Sequence, residues 1–252
     1  MSYGQRAKCR QRTPPAGTSE LYRGDCLELL PKVADRQVDL VLCDLPYGAT
    51  DCEWDHRIDC AALWREYERV LSPQGTVVLF SMLRFAVELI NAAPRDWLRY
   101  EWIWDKAAAT GWLSARHRPM PQHEHVLVFA PEAPRYYPQG LRACAPRTHT
   151  ASSSSVYGKC DRAHGAQTVT GWPKTILRFP REVGAKAAQK PVALLEYLVR
   201  TYTHPGELVL DNTMGLGSTG VAALNAGRRF VGMELDGERF AAARSRVEAA
   251  HA

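Results

Sequence analysis

Four residues at the end of one apolar run carry more chemistry than a plain turn needs. The run Val38-Asp39-Leu40-Val41-Leu42-Cys43 leads into Asp44-Leu45-Pro46-Tyr47-Gly48. Asp44 offers carboxylate acceptors, the Leu45 carbonyl another acceptor, and Tyr47 a π-face behind the stiff backbone of Pro46. Together they suit one task, the holding of a planar group that donates hydrogen bonds. As a bare tetrapeptide the same residues read equally well as a strand-ending turn.

A second constellation lies near the far end of the chain. Glu207-Leu208-Val209-Leu210-Asp211 passes through Asn212-Thr213-Met214 into Gly215-Leu216-Gly217-Ser218-Thr219-Gly220, and Arg229-Phe230-Val231-Gly232-Met233-Glu234 follows. This satisfies G-x-G-x-x-G with an acid, Glu234, about 20 residues on, so a nicotinamide-dependent oxidoreductase competes for the reading. Two features count against it. The strand ends at Asp211, several positions before the first glycine, whereas the dinucleotide fingerprint turns directly from strand into glycine. A carboxylate at that strand end also suits the α-ammonium of an amino acid better than a pyrophosphate.

The elements that must position these groups alternate along the chain. Leu21 to Asp25 predicts a short strand and Leu27 to Val33 a helix, for which Asp25 reads on spacing as the N-cap. After the strand ending at Cys43, an amphipathic helix is expected from Cys60 to Leu71, stopped by Ser72-Pro73-Gln74-Gly75, and a strand from Thr76 to Phe80. A helix over 83–92 and strands over 100–104 and 125–129 follow. Residues 131–188 show no sustained period and contain a low-complexity patch, Ser152 to Ser155. Order resumes with Gln189-Lys190-Pro191, the helix Val192 to Tyr202, and a βαβ unit closed by a last helix that Asp236 caps. The order of these parts requires an N-terminal half to complete the sheet begun by the C-terminal half. The expected fold is therefore a doubly wound, mostly parallel, seven-stranded α/β sheet of permuted strand order. Its parts are a mobile tail (1–18), a catalytic half (19–130), an insert (131–188) and a cofactor-binding half (189–252).

Composition narrows the partners. With 252 residues, 46% hydrophobic and 23% charged, the chain can bury a sizeable core. No apolar run approaches the roughly 20 residues of a membrane helix, so a cytoplasmic protein is expected. The seven cysteines include no C-x-x-C pair, which argues against a disulfide framework and against a metal site. The net charge is +5, yet residues 131–190 alone carry +7. Arg135, Arg142, Arg147, Lys159, Arg162, Lys174 and Arg178 lie there among Tyr136, Tyr137, Tyr157 and Trp172, a mixture that suits phosphates and stacked bases.

Asp44-Leu45-Pro46-Tyr47 resembles the D-P-P-Y motif of the amino-group DNA methyltransferases, with Leu in place of the first Pro. Asp211 with its glycines and the following Gly232-Met233-Glu234 resembles that family's S-adenosylmethionine site. Catalytic motif, then insert, then cofactor motif is the order of the family's β group. The likeness spans the chain from Arg23 to Glu234 and is nearest to phage-type adenine-specific enzymes through Tyr100-Glu101-Trp102-Ile103-Trp104 and Gln189-Lys190-Pro191. Thr213 stands where the family has Phe, and Lys186-Ala187-Ala188 where it has His-Pro-Thr.

The resemblance implies roles. Asp44 and the Leu45 carbonyl would accept both hydrogens of an exocyclic amine, and Tyr47 would stack on the flipped base. Asp211 would meet the methionine end of S-adenosylmethionine, Gly215 and Gly217 would let the backbone approach it, and Thr213 and Ser218 would lie beside them. Glu234 would hold the ribose, Asp25 with Cys26 would face the adenine, and Lys190 would reach the cofactor carboxylate. The implied activity is N6 methylation of adenine in double-stranded DNA, without a metal and with a homodimer as the expected assembly. N4-cytosine methylation is the alternative, followed by the oxidoreductase and a non-catalytic DNA-binding regulator. Trp54, His123 and His125 are further residues that can join the site.

Overall fold

The computed structural model describes residues 17–48, 56–147, 166–182 and 189–251. Its strands are β1 (Ser19–Arg23), β2 (Val38–Cys43), β3 (Leu71–Ser81), β4 (Leu98–Asp105), β5 (His123–Phe129), β6 (Arg142–Arg147), β7 (Gln167–Thr170), β8 (Ile176–Arg178), β9 (Leu208–Asp211) and β10 (Arg229–Glu234). The helices are α1 (Cys26–Leu29), α2 (Cys60–Val70), α3 (Leu83–Ala92), α4 (Val192–Tyr202), α5 (Ser218–Asn225) and α6 (Gly237–His251).

Among the described residues, eight strands form one sheet in the order β1-β10-β9-β2-β3-β5-β4-β8, and β6 and β7 form a separate pair. Strands β1 through β3 in that order are parallel, β5 is antiparallel to both neighbours, and β8 is parallel to β4. Only β5 therefore runs against the rest. The carboxyl ends of seven strands and the amino end of β5 share one edge, the edge where sites form in such sheets.

Alternation along each strand feeds two cores. Val41, Cys43, Val77 and Leu79 pack with Leu63, Trp64, Tyr67, Phe85 and Leu89 of α2 and α3. Leu40, Leu42, Val78 and Phe80 pack with Leu194, Leu198, Ala222 and Val247 of α4, α5 and α6. Strands covered on both faces read as continuous apolar runs, as β2 does. Each fully buried aliphatic side chain contributes about 1.5–3 kcal/mol.

The sheet has eight strands rather than the seven expected. The addition, β8, comes from the insert and pairs Ile176, Leu177 and Arg178 with Ile103, Trp104 and Asp105. Three residues are too few to show a period, and only Leu177 of the three is buried. The first helix is also shorter than expected: it ends at Leu29 and gives way to a 3-10 turn, Leu30–Lys32. Pro31 has no N–H to continue the α pattern. β3 begins at Leu71, five residues early. It pairs Val38 with Leu71 and then Leu40 with Thr76, so Ser72–Gly75 loops out of register.

Candidate active site

The shared edge opens into a cleft of about 1240 Å³, lined by residues from both ends of the chain. Asp44, Leu45, Pro46 and Tyr47 enter it from β2; Asp211, Thr213, Gly215 and Ser218 from β9 and the loop beyond; Glu234 from β10; Asp25 and Cys26 from β1. A direct bond ties the two constellations, because Thr213 Oγ1 donates to the main-chain oxygen of Asp44 at 3.2 Å.

Both carboxylate oxygens of Asp44 are engaged. Tyr47 Oη donates to Oδ1 at 2.6 Å, and Lys190 Nζ donates to Oδ2. The Tyr47 ring lies 5.2 Å from that of Phe85 at a tilt of 43°. Leu45 turns its side chain into the core, where it is 3% exposed, so what this residue offers the cleft is main chain. That explains physically how Leu stands where the motif has Pro.

Lys190 lies immediately before α4, which starts at Val192 after Pro191. Its ammonium is buried, 3.3 Å from Glu124 Oε2 in an ion pair without hydrogen-bond geometry, and 5.1 Å from the centre of the Phe80 ring. Burial pulls its pKa down, but Asp44 and Glu124 outweigh that and hold it above the usual lysine value. The lysine lines the cleft and there meets two carboxylates of the protein.

Asp211, 2% exposed, ends β9 and accepts from the Thr213 amide at 3.0 Å. Burial pushes its carboxyl up to about 7, against the opposing pull of the Thr219 and Thr213 hydrogen bonds. Glu234 accepts from the Gly215 amide at 2.9 Å through Oε2 and from the Asp236 amide at 2.9 Å through Oε1. Those bonds fix its plane, and burial raises its pKa. Asp25 caps α1 by accepting from the Leu27 amide at 2.7 Å, so the cap and the cleft-lining position coexist. Burial likewise pushes the Cys26 thiol up.

Not every expected residue reaches the cleft. Gly217, at φ +78, is the N-cap residue just before α5, and a β-carbon there would stand 3.0 Å from Val247 and 3.2 Å from Ala243; its lack of a side chain serves packing against α6. Arg135 sits at the opposite edge of the sheet, where it pairs with Glu207 and bonds Gln74 at 2.9 Å, a structural brace rather than a phosphate contact. Arg142 and Arg147 are exposed on β6, Lys174 is exposed, and Arg178 is exposed with Asp105 at 3.8 Å. His125 bonds Glu101 at 2.8 Å, and the His123 ring lies 5.5 Å from the His125 ring. Lys159, Arg162, Trp54, Tyr157 and Ser152 to Ser155 lie outside the described residues.

Glu124, Lys106 and Trp104 line the cleft without having been expected there. Lys106 is buried with its Nζ 3.4 Å from Glu124 Oε1. A Glu between two His at the mouth of an apolar strand was the available signal, since the amino end of an antiparallel strand falls at the same edge as the carboxyl ends of the others. Beneath the cleft, Asn212 Oδ1 accepts from Tyr67 Oη at 2.7 Å and from the Cys43 thiol at 3.0 Å. Among the described residues its Nδ2 finds no partner.

Comparison with known proteins bears on this geometry. A family model described as DNA methylase, N6_N4_Mtase, matches residues 38–245. The type II methyltransferase M.HpaI of Haemophilus parainfluenzae is 21% identical over 238 residues, covering 90% of this chain and 74% of its own. The crystal structure of the M1.HpyAVI–SAM complex matches with a TM-score of 0.63 at 21% identity, over 91% of this chain and 99% of that one. The PvuII DNA methyltransferase, described as cytosine-N4-specific, matches with a TM-score of 0.66 at 16% identity over 94% of each chain. At these identities the two structures establish a shared fold.

Proposed function

The chain belongs to the N6/N4 DNA methylase family, and from that premise we propose that it transfers the methyl group of S-adenosylmethionine to the N6 amine of an adenine flipped out of duplex DNA. Family membership sets the oxidoreductase reading aside. The observation that carries the proposal is the cleft itself: the strand-end Asp44 and the β9–β10 carboxylates line one cavity, bridged by the bond from Thr213 Oγ1 to Asp44.

The donor set fits the cofactor. Asp211, whose carboxyl burial has pushed up to about 7, is a buried acceptor with no ion-pair partner among the described residues, and the ammonium of a methionine moiety would provide one. Gly215 has φ +54 and no atom within 4 Å of a β-carbon position, leaving its main chain open to approach. Glu234 would take the ribose hydroxyls, and Asp25 with Cys26 would face the adenine. The cofactor, when bound, supplies an electrophilic sulfonium methyl.

The remaining chemistry belongs to the chain. An exocyclic base amine is a poor nucleophile because its lone pair is delocalised into the ring. Acceptance of its two hydrogens by Asp44 and the Leu45 carbonyl lets the nitrogen pyramidalise and aim that pair. Tyr47 provides the ring on which the flipped base stacks, and the exposed Arg142, Arg147, Lys174 and Arg178 provide phosphate contacts that offset the few kcal/mol of unstacking. Asp at the first motif position favours adenine; N4-cytosine methylation would use the same acceptors.

Mass spectrometry of nucleosides, with sequencing that maps modified positions, tests this on DNA from cells expressing the protein. N6-methyladenine at a defined site is expected, and its loss in D44A. N4-methylcytosine would move the assignment to the other base. No modified base at all would refute the enzymatic reading and leave a DNA-binding regulator.

A further inference from the structure

The connection between β4 and β5 presents two large apolar side chains to water. Trp112 is 75% exposed and Leu113 79% exposed. They occupy a 3-10 turn, Trp112–Ser114, entered through Gly111 in the left-handed region at φ +74. Arg116, His117 and Arg118 follow, all exposed.

This projection is ordered by its own hydrogen bonds. Ser114 N donates to the Gly111 carbonyl at 3.0 Å, Ala115 N to Trp112 at 3.0 Å, and Arg118 N to Ser114 at 3.0 Å. At its neck Thr110 donates to the Pro121 carbonyl from both N (3.0 Å) and Oγ1 (3.1 Å). The same neck is wall of the site: Lys106, Ala107, Ala108 and Thr110 line the cleft. Trp112 is two residues beyond Thr110, so its Cα is at most about 7 Å of chain from that wall.

An exposed apolar pair followed within five residues by two exposed arginines, at the lip of a cleft proposed to take a base, matches one surface well. Extrusion of a nucleotide leaves a flat apolar gap between neighbouring base pairs, bordered by phosphates. Apolar wedges fill such gaps in DNA, and cations beside them hold the backbone. We infer that Trp112 and Leu113 are the wedge that occupies the place of the extruded base, with Arg116 and Arg118 on the flanking phosphates. The inference rests on the base-flipping methyltransferase reading given above.

The test uses synthetic duplexes carrying the mapped site, fully paired or with an abasic position opposite the target, and the W112A/L113A and W112F variants of the whole chain. Both side chains are exposed, so truncation leaves the core intact, and unchanged affinity for S-adenosylhomocysteine checks this. The double variant is expected to lose about tenfold or more in kcat/KM on the paired duplex. On the abasic duplex, where extrusion meets less resistance, it should stay within about threefold of wild type. W112F should recover most of the loss, and 2-aminopurine at the target should brighten on binding to wild type but not to the double variant. Equal losses on both duplexes, or no loss on either, would overturn the inference. Failure of the wild type on both duplexes would instead refute the methyltransferase reading, and the wedge with it.

Discussion

Asp211 makes the proposed cofactor site a titrating one. Its carboxyl is 2% exposed, and burial raises it from 3.8 to about 7. If the ionised form is what meets the cofactor's ammonium, about nine-tenths of the protein is competent at pH 8 and about one-tenth at pH 6. Affinity for S-adenosylhomocysteine should therefore fall about tenfold between those values. Calorimetry in two buffers of different protonation enthalpy should report release of about half a proton per binding event at pH 7. Stability carries the same signature. A carboxyl raised above its unfolded value favours the fold below about pH 4, and this contribution is lost as pH rises through 7; the span corresponds to about 4 kcal/mol. The ligand's cation offsets that loss, so thermal stabilisation by S-adenosylhomocysteine should be larger at pH 8 than at pH 6. Asp211→Asn keeps the shape and removes the charge. It should weaken binding roughly thirtyfold or more and flatten the pH profile. A flat profile in wild type between pH 6 and 8, or an unchanged slope in the Asn variant, would refute the reasoning.

Three further outcomes are expected. Asp44→Ala should lower methyl transfer by roughly a hundredfold or more without weakening S-adenosylhomocysteine binding; retained activity would remove Asp44 from its role. Thr213→Val deletes the 3.2 Å bond to the Asp44 carbonyl and should cost about 1 kcal/mol, read as a roughly fivefold fall in kcat with the affinity for S-adenosylhomocysteine little changed. Gly220→Ala places a β-carbon 2.7 Å from both the Phe230 ring and Val247, and should destabilise the protein by about 1–3 kcal/mol in chemical denaturation.

Much of the frame was legible because it is written in periods and stop signals. The helix over 192–202 and the strand over 38–43 occur at the residues expected, the first launched by Pro191 and the second ended by Asp44 and Pro46. The meeting of the two chain ends was legible from the order of the parts, since a βαβ unit at the C-terminus needs neighbours from elsewhere. What escaped was decided by tertiary contact. β8 is three residues long and draws its stability from a partner strand, not from its own pattern. Glu124 reaches the cleft only because β5 is reversed, a fact of topology that no local spacing states. Arg135 counted toward a basic insert, yet Glu207 and Asp39 draw it to the far edge. Gly217 and Gly220 satisfy a phosphate-binding fingerprint while their missing side chains admit α6 and Phe230, so the same letters follow from close packing.

The charges around Asp44 form an alternating row: Lys106, Glu124, Lys190 and Asp44, with Tyr47 at its end. Buried ions persist when each meets an opposite partner, and here every carboxylate is next to an ammonium. The arrangement has a cost for the proposed chemistry, because a base amine must compete with Lys190 and Tyr47 for the Asp44 oxygens they already engage. A cofactor carboxylate within reach of Lys190 would draw the ammonium off Asp44 and leave it paired with Glu124 and the new anion. On that reading the acceptor would be released for the base only when the methyl donor is in place. The ion pair seen with Asp44 and the cofactor contact implied by the motif would then be alternative partners of one ammonium that keeps Glu124 beside it.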